Sequence, residues 1–247
     1  VMKLLQINTG LNTSSTGKIV CQISKIFTDN GNESYIAFSG KYPENRDMEN
    51  TIRVGFKLDF YWHALVTRIF DRHGFGSIRA TKKLLKKIDY IKPDIIHLHN
   101  LHGYYINIEI LFNYLARKEI PIVWTMHDCW SFTGHCSHFE FVDCNKWRES
   151  CYSCPQRSSY PSSLIKDNSK ENFLNKKRLF NSVHNMTIVP VSNWLDNKIK
   201  YSYLNGFKSR VIQNGIDLEV FKPSKSASFI NDYNLHTKFI ILGVASV

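Results

Sequence analysis

Three groups of residues in this chain have types and spacings able to do chemistry. The first is a set of histidines at the ends of apolar, β-branched runs: His127 with Asp128 after Ile120 to Met126, and His97, His99 and Asn100 closing Asp94 to Leu98. Side chains alternate faces along a strand, so His97 and His99 share a face. An imidazole at such an end can orient a hydroxyl or hold a proton near neutral pH. The second group is the segment Thr9 to Gly17, rich in Thr, Ser, Asn and Gly, which opens onto an amphipathic run. Backbone N–H groups at a helix start, here beside Thr16 and Gly17, can face a diphosphate, and Gly17 allows close approach. The same residues also suit an ordinary strand-to-helix turn. The third group is Cys136, Cys144, Cys151 and Cys154. A Cys-x-x-Cys pair joined by two more thiolates suits a tetrahedral structural zinc, with His127, His135 or His138 able to replace one sulfur. Free thiols and a disulfide are the alternatives.

These groups need a framework. Short β-branched runs alternate with amphipathic stretches, the pattern of a parallel sheet covered by helices on both faces, an α/β Rossmann-like fold. Strands are predicted near Lys3 to Ile7, Ser34 to Phe38, Asp94 to Leu98, Ile120 to Met126, Met186 to Val191 and Arg210 to Gln213. Helices are predicted over Lys18 to Asn30, Lys57 to Arg72, Ser77 to Ile91, Ile106 to Lys118, Ser169 to Val183 and Asn193 to Tyr203. The third of these stops ahead of Pro93, which cannot continue a helix. Residues 132–161 read as a Cys-rich insertion after a strand. Lys222 to Ser226 reads as a linker, so that residues 1–222 form the first domain and 223–247, with an apolar strand at Lys238 to Val244, begin another. In the helix from Lys57, the residues Phe56, Phe60, Tyr61, Trp62, Leu65 and Ile69 can either cover the sheet or meet a membrane interface. Core packing is the favoured reading because the sheet needs covering.

Composition narrows the classes. Apolar residues make up 43% of 247, enough for a substantial core. The apolar runs fall short of the roughly 20 residues that cross a bilayer. No signal peptide is visible at the N-terminus, so a cytoplasmic protein is expected. There the cysteines are not expected to form a disulfide framework. The net charge of +11 favours anionic partners. Much of it lies in Arg79, Lys82, Lys83, Lys86, Lys87 and Lys92, and in Lys170, Lys176, Lys177 and Arg178, which read as solvated helix faces or as a surface for anionic lipid, a lipid-diphosphate or nucleic acid.

Several segments together resemble the glycosyltransferase family 4 pattern, in the branch of bacterial surface-polysaccharide synthesis. They are Asp94-Ile95-Ile96-His97-Leu98-His99-Asn100, Ile122-Val123-Trp124-Thr125-Met126-His127-Asp128, Val189-Pro190-Val191-Ser192-Asn193-Trp194-Leu195, Val211-Ile212-Gln213-Asn214-Gly215-Ile216-Asp217 with Phe221-Lys222-Pro223, and Ile240-Ile241-Leu242-Gly243-Val244-Ala245-Ser246. The order and spacing of these segments carry the resemblance across nearly the whole chain.

The resemblance implies the N-terminal half of a GT-B fold and transfer of a sugar from a UDP- or GDP-linked donor to a glycan or lipid-linked glycan acceptor, with retention of configuration. It implies His127 as the catalytic residue facing the donor sugar, with Thr16 and Gly17 beside the donor. His99, Asn100, Asp128 and Trp130 are implied on the acceptor side, with Asp128 fixing the His127 tautomer or capping the next segment. No catalytic metal is expected. The donor contacts of such an enzyme lie mostly in its second domain, so the chain alone is expected to be inactive. Peripheral contact with the inner face of an anionic membrane fits the basic helices. A zinc-stapled nucleic-acid-binding module is the rival reading and a dinucleotide-dependent oxidoreductase a weaker third, since the first loop lacks a full Gly-x-Gly-x-x-Gly.

Overall fold

The computed structural model describes residues 1–12, 14–42, 49–223, 227–241 and 243. Val1–Asn214 forms one compact unit and Gly215–Val247 a second. The first unit runs β1 (Lys3–Asn8), α1 (Ser15–Asp29), β2 (Glu33–Ser39), β3 (Thr51–Val54), α2 (Lys57–Phe70), α3 (Ile78–Ile91), β4 (Ile95–Leu98), α4 (Ile108–Leu115), β5 (Ile122–Met126), α5 (Ser169–Phe180), β6 (Met186–Pro190), α6 (Asn193–Lys200) and β7 (Lys208–Ser209). In the second unit the described residues hold the short helix α7 (Ala227–Asp232).

All strands pair in parallel, in the order β3-β2-β1-β4-β5-β6-β7. Leu4 of β1 sits opposite Ser34 on one side and Ile95 on the other. The chain therefore builds outward from β1 to β3, then returns to β1 and builds the other way. The alternation of strand side chains divides the interior in two. Ala37 joins the larger core with Leu5, Ile7, Ile96 and Trp124, while Ile36 and Phe38 turn to a smaller core with Leu11 and Val20 of α1.

Local chemistry explains the helix limits. Ser14 caps α1 by accepting the Gly17 N–H at 3.1 Å, which starts the helix three residues before Lys18. In α3, Ala80, Leu84, Ile88 and Ile91 form the buried stripe, and Lys92 closes it in the left-handed region before Pro93. The expected strand at 210–213 lies earlier, at Lys208–Ser209, although the N–H groups of Arg210 and Ile212 still donate to the carbonyls of Ile188 and Pro190. For the strand expected at Lys238 to Val244, Lys238–Ile241 and Gly243 are not extended in a sheet, and Leu242 and Val244 lie outside the described residues. Ser224, Lys225 and Ser226 of the expected linker also lie outside them.

Two expectations of burial are overturned. In α2, Phe56, Tyr61, Trp62 and Leu65 are exposed, with Phe60 and Ile69 half-buried, because the inward face of this helix is formed by His63 and Thr67. In α5, Lys176 is not on a solvated face. It is 1% exposed, and its ammonium donates to the carbonyls of Trp130 (2.8 Å) and Thr133 (3.2 Å). Burial lowers its pKa to about 7.

Candidate functional site

In a doubly wound sheet the crevice lies where strand order reverses, at the carboxyl ends of the strands. Here that point is between β1 and β4. The two ends are pinned together. Thr9 Oγ1 donates to the Asn100 carbonyl at 3.0 Å and to that of His102, and the Asn100 N–H donates to Asn8 Oδ1 at 3.3 Å. Gly103 adopts φ +111°, and a Cβ there would lie 2.5 Å from the Thr9 methyl, so glycine is required for the approach.

Three imidazoles form a column across β4 and β5 at this crevice. The rings of His97 and His99 are 4.0 Å apart, and those of His99 and His127 are 5.7 Å apart and nearly parallel. His99 Nδ1 lies 3.4 Å from His127 Nε2, and His97 Nε2 lies 2.8 Å from Thr125 Oγ1. Burial holds His97 and His127 down at about 4, and the Asp128 carboxylate only partly offsets this for His127. Burial also pushes His99 well below its ordinary value. The column is therefore neutral near pH 7, and each ring offers one donor and one acceptor. His99 Nε2 has no hydrogen-bond partner among the described residues.

Asp128 is aimed elsewhere than at His127. Its Oδ2 accepts from His102 Nε2 at 2.7 Å and its Oδ1 accepts from the Trp130 N–H at 2.9 Å, at the start of the short 3-10 turn Trp130–Phe132. Burial raises this carboxyl, but the positive potential of His102 and the two hydrogen bonds outweigh it and lower the pKa overall. Among the described residues its hydrogen bonds go to His102 and the Trp130 N–H, and none goes to His127. Trp130 is 1% exposed, with the Lys176 ammonium 3.5 Å from its ring, and it lines the same small hollow as His99, Asn100, His127 and Asp128. His102, unmarked by the strand pattern, also meets Tyr160 Oη at 3.2 Å, and Tyr104, His73 and Tyr160 complete an aromatic rim. The only sequence signal for His102 was its place just past a strand end. Tyr160 sits in the insertion, 58 positions from His102, and carried no signal.

Across the crevice, Thr16 Oγ1 lies 3.4 Å from Asn8 Nδ2 at the start of α1. A Cβ on Gly17 would fall 2.9 Å from the Asn12 nitrogen and 3.2 Å from the Gly10 carbonyl carbon, so the loop folds tightly over this position.

The four cysteines do come together. Cys136, Cys144, Cys151 and Cys154 line one small cavity with Phe139 and Trp147. Among the described residues, however, no group of three or more His, Cys, Asp or Glu is placed to hold a metal ion, so the expectation of a zinc site is not met. The sulfurs have other partners. Cys151 Sγ accepts the Gly134 N–H at 3.2 Å, and the proximity of Cys154 together with burial pushes the Cys136 thiol up. The insertion is tied to Asp71, whose buried carboxylate meets the buried His135 Nδ1 at 2.6 Å and the half-buried Asn168 N–H at 2.9 Å.

A seven-stranded parallel sheet with its polar groups gathered at the β1/β4 switch point and a tight Gly-containing loop above them defines a Rossmann-like domain of the GT-B glycosyltransferase type. The chain belongs to Glycosyltransferase Family 4, whose model matches residues 17–220. It is 28% identical over 159 residues to a protein of Escherichia coli (strain K12) named as a colanic acid biosynthesis glycosyl transferase, WcaC, with 61% of this chain covered and 38% of that protein. The fold is shared with sucrose-phosphate synthase (tll1590) from Thermosynechococcus elongatus at a TM-score of 0.59 and 12% identity, over 95% of this chain and 53% of that one. The chain thus spans well under two thirds of the length of either protein. Membership in this family sets aside the nucleic-acid-binding and oxidoreductase readings. Among the described residues no helix is long and apolar enough to cross a membrane.

Proposed function

We propose that this chain supplies the acceptor side of a retaining glycosyltransferase that moves a sugar from a UDP- or GDP-linked donor to a glycan or lipid-linked glycan of a bacterial surface polysaccharide, working at the cytoplasmic face. The observation that carries this reading is the neutral His99–His127 pair at the carboxyl ends of β4 and β5, next to the switch point where Asn8 and Thr9 bond to Asn100. The similarity to WcaC supports the polysaccharide class. In this reading the acceptor oxygen bonds to the anomeric carbon as the bond to the nucleotide diphosphate breaks, and the hydroxyl proton leaves with the departing phosphate oxygen. His127 holds a sugar hydroxyl through that step. The Gly17 and Thr16 end of α1 faces the growing charge on the diphosphate. A second α/β domain supplies the remaining donor contacts, and the 247-residue chain alone is inactive.

The test is nucleotide release from a panel of UDP- and GDP-sugars by a two-domain protein carrying this sequence, as wild type and as His127→Ala, with melting temperatures alongside. Loss of one positioning contact is expected to lower turnover about 10²-fold without unfolding the protein. Normal turnover by His127→Ala, or activity of the 247-residue chain alone, would overturn the reading.

A further inference from the structure

The rim of the crevice is built from rings that the transfer step above does not use. The ring of Tyr160 lies 5.9 Å from that of His102, 6.1 Å from that of Tyr104 and 5.6 Å from that of His73, yet the residue is 46% exposed. Tyr104 adopts φ +62°, a left-handed conformation that is uncommon for a bulky residue and concentrates at functional sites. The polar atoms of the rim suit hydroxyl groups. The Asp128 carboxylate accepts from His102 Nε2, so Nδ1 is left to accept, and Tyr160 Oη donates to it at 3.2 Å. The Tyr160 oxygen keeps its lone pairs for a further hydroxyl. Beside this pair, His73 is 2% exposed and its Nε2 accepts the Gly103 N–H at 3.2 Å, so the ring proton sits on Nδ1. That Nδ1 has no hydrogen-bond partner among the described residues. A buried donor left in this way calls for a polar group to meet it.

We propose that this rim is a subsite for an uncharged pyranose of the acceptor, whose C–H face lies on Tyr160 and Tyr104 while one of its hydroxyls bonds to the His102 Nδ1 and Tyr160 Oη pair. Shape selects a sugar over a flat base: the rings of Tyr104 and Tyr160 stand at 82° to each other, a corner that admits a puckered ring, whereas a base needs a parallel-sided slot. Charge selects an uncharged sugar. The Asp128 carboxylate is negative and already bonded to His102 and to the Trp130 N–H, and the Lys176 ammonium is buried against the carbonyls of Trp130 and Thr133. A carboxylate on the sugar would therefore enter the rim without a partner. Tyr160 becomes the specificity-determining residue, and because it is delivered by the cysteine-rich insertion, that insertion is the part of the chain that sets which sugar fits. Calling the sugar an acceptor rests on the glycosyltransferase reading, whereas binding of a sugar at the rim does not.

The experiment is saturation-transfer NMR of the 247-residue chain with the methyl glycosides of glucose, galactose, mannose and fucose, and with methyl glucuronoside and uridine. Saturation is expected on the ring C–H protons of at least one neutral glycoside, and about fivefold less on the glucuronoside. Tyr160→Ala should weaken binding of that glycoside about tenfold, and His102→Gln, which can still donate to Asp128, about threefold. Tyr160 is 46% exposed, so melting should be unchanged by its loss, and Tyr90→Ala, which removes a tyrosine 88% exposed on α3, should bind as the wild type does. No saturation of any neutral glycoside overturns the proposal, as does equal saturation in Tyr160→Ala and His102→Gln. Binding of the glucuronoside or of uridine at the same residues in preference to the neutral sugars overturns it as well. Sugar binding at the rim without nucleotide release by the two-domain protein would leave the subsite standing and remove only the transferase reading. Nucleotide release with no sugar bound at the rim would do the reverse.

Discussion

Acid should destabilise this fold through its buried imidazoles, and His63 is one whose two ring nitrogens both have hydrogen-bond partners. His63 of α2 is fully buried. Its Nε2 accepts the N–H groups of Gly74 (3.2 Å) and Gly76 (3.1 Å), and its Nδ1 therefore carries the proton and donates to Ser77 Oγ at 2.9 Å. Protonating Nε2 would set a third donor against two donors. Burial accordingly lowers this pKa to about 4 from an ordinary 6.5, even though hydrogen bonding to the backbone pulls the other way. Because the folded value lies below the unfolded one, stability is complete above about pH 6.5 and is lost as pH falls toward about 4. Between neutrality and about pH 4.5 the loss from His63 alone is roughly 2 kcal/mol. His97 and His127 titrate in the same window, so the comparison must be with a variant. His63→Gln keeps an acceptor oxygen for the glycine N–H groups. Urea unfolding across this range should give a wild-type curve steeper than that of the variant by about that amount, with the gap in stability narrowing in acid. If the two curves run parallel, or if the His63 ring titrates near 6.5 by NMR, the argument from burial and donor count is wrong.

Other substitutions test neighbouring parts. Asp71→Ala would strand His135 inside the protein and release the Asn168 N–H, and should cost about 3–5 kcal/mol in chemical denaturation. Gly76→Ala places a Cβ 2.4 Å from the His63 ring and should lower stability by about 1–3 kcal/mol, with His63→Ala partly relieving it. Gly17→Ala should weaken donor binding in calorimetry of the two-domain protein by about tenfold while leaving the sheet folded, since its Cβ meets loop backbone 2.9 Å away. Lys176→Met should shift the Trp130 fluorescence by removing the ammonium 3.5 Å from the ring.

The frame was legible because it is written in local pattern. β1, β2, β4, β5 and β6 fall within a residue or two of their apolar runs, and α3 combines an unbroken stripe with a proline stop. β3 was missed because its four residues include Arg53, whose guanidinium donates to the distant Gly40 carbonyl at 2.7 Å. Periodicity located α2 but not its orientation, since a period says that a helix has two faces and not which one the fold will cover. At the site, His99 and His127 could be read from strand ends, and the face that His99 shares with His97 is seen in their rings 4.0 Å apart. His102, Tyr160 and the burial of Lys176 could not be, because each depends on contacts between segments at least 26 positions apart. The cysteine spacing brought four sulfurs to one cavity but did not fix what they would bind there.

The strand order also sets a schedule for synthesis. β1 lies inside the sheet, third from one edge, and its second neighbour is β4, with Leu4 paired to Ile95. As the polypeptide emerges from the ribosome, one edge of β1 is covered early by β2, while the other stays open until the turn after α3 has been made. β4 then waits for β5, and β5 must wait for the entire cysteine-rich segment and α5 before β6 can close it. Non-local parallel pairings of this kind fold slowly and leave unpaired strand edges exposed meanwhile. The nascent chain should therefore be most prone to association while the cysteine-rich segment is being translated, with β5 already out and its second partner still inside the ribosome.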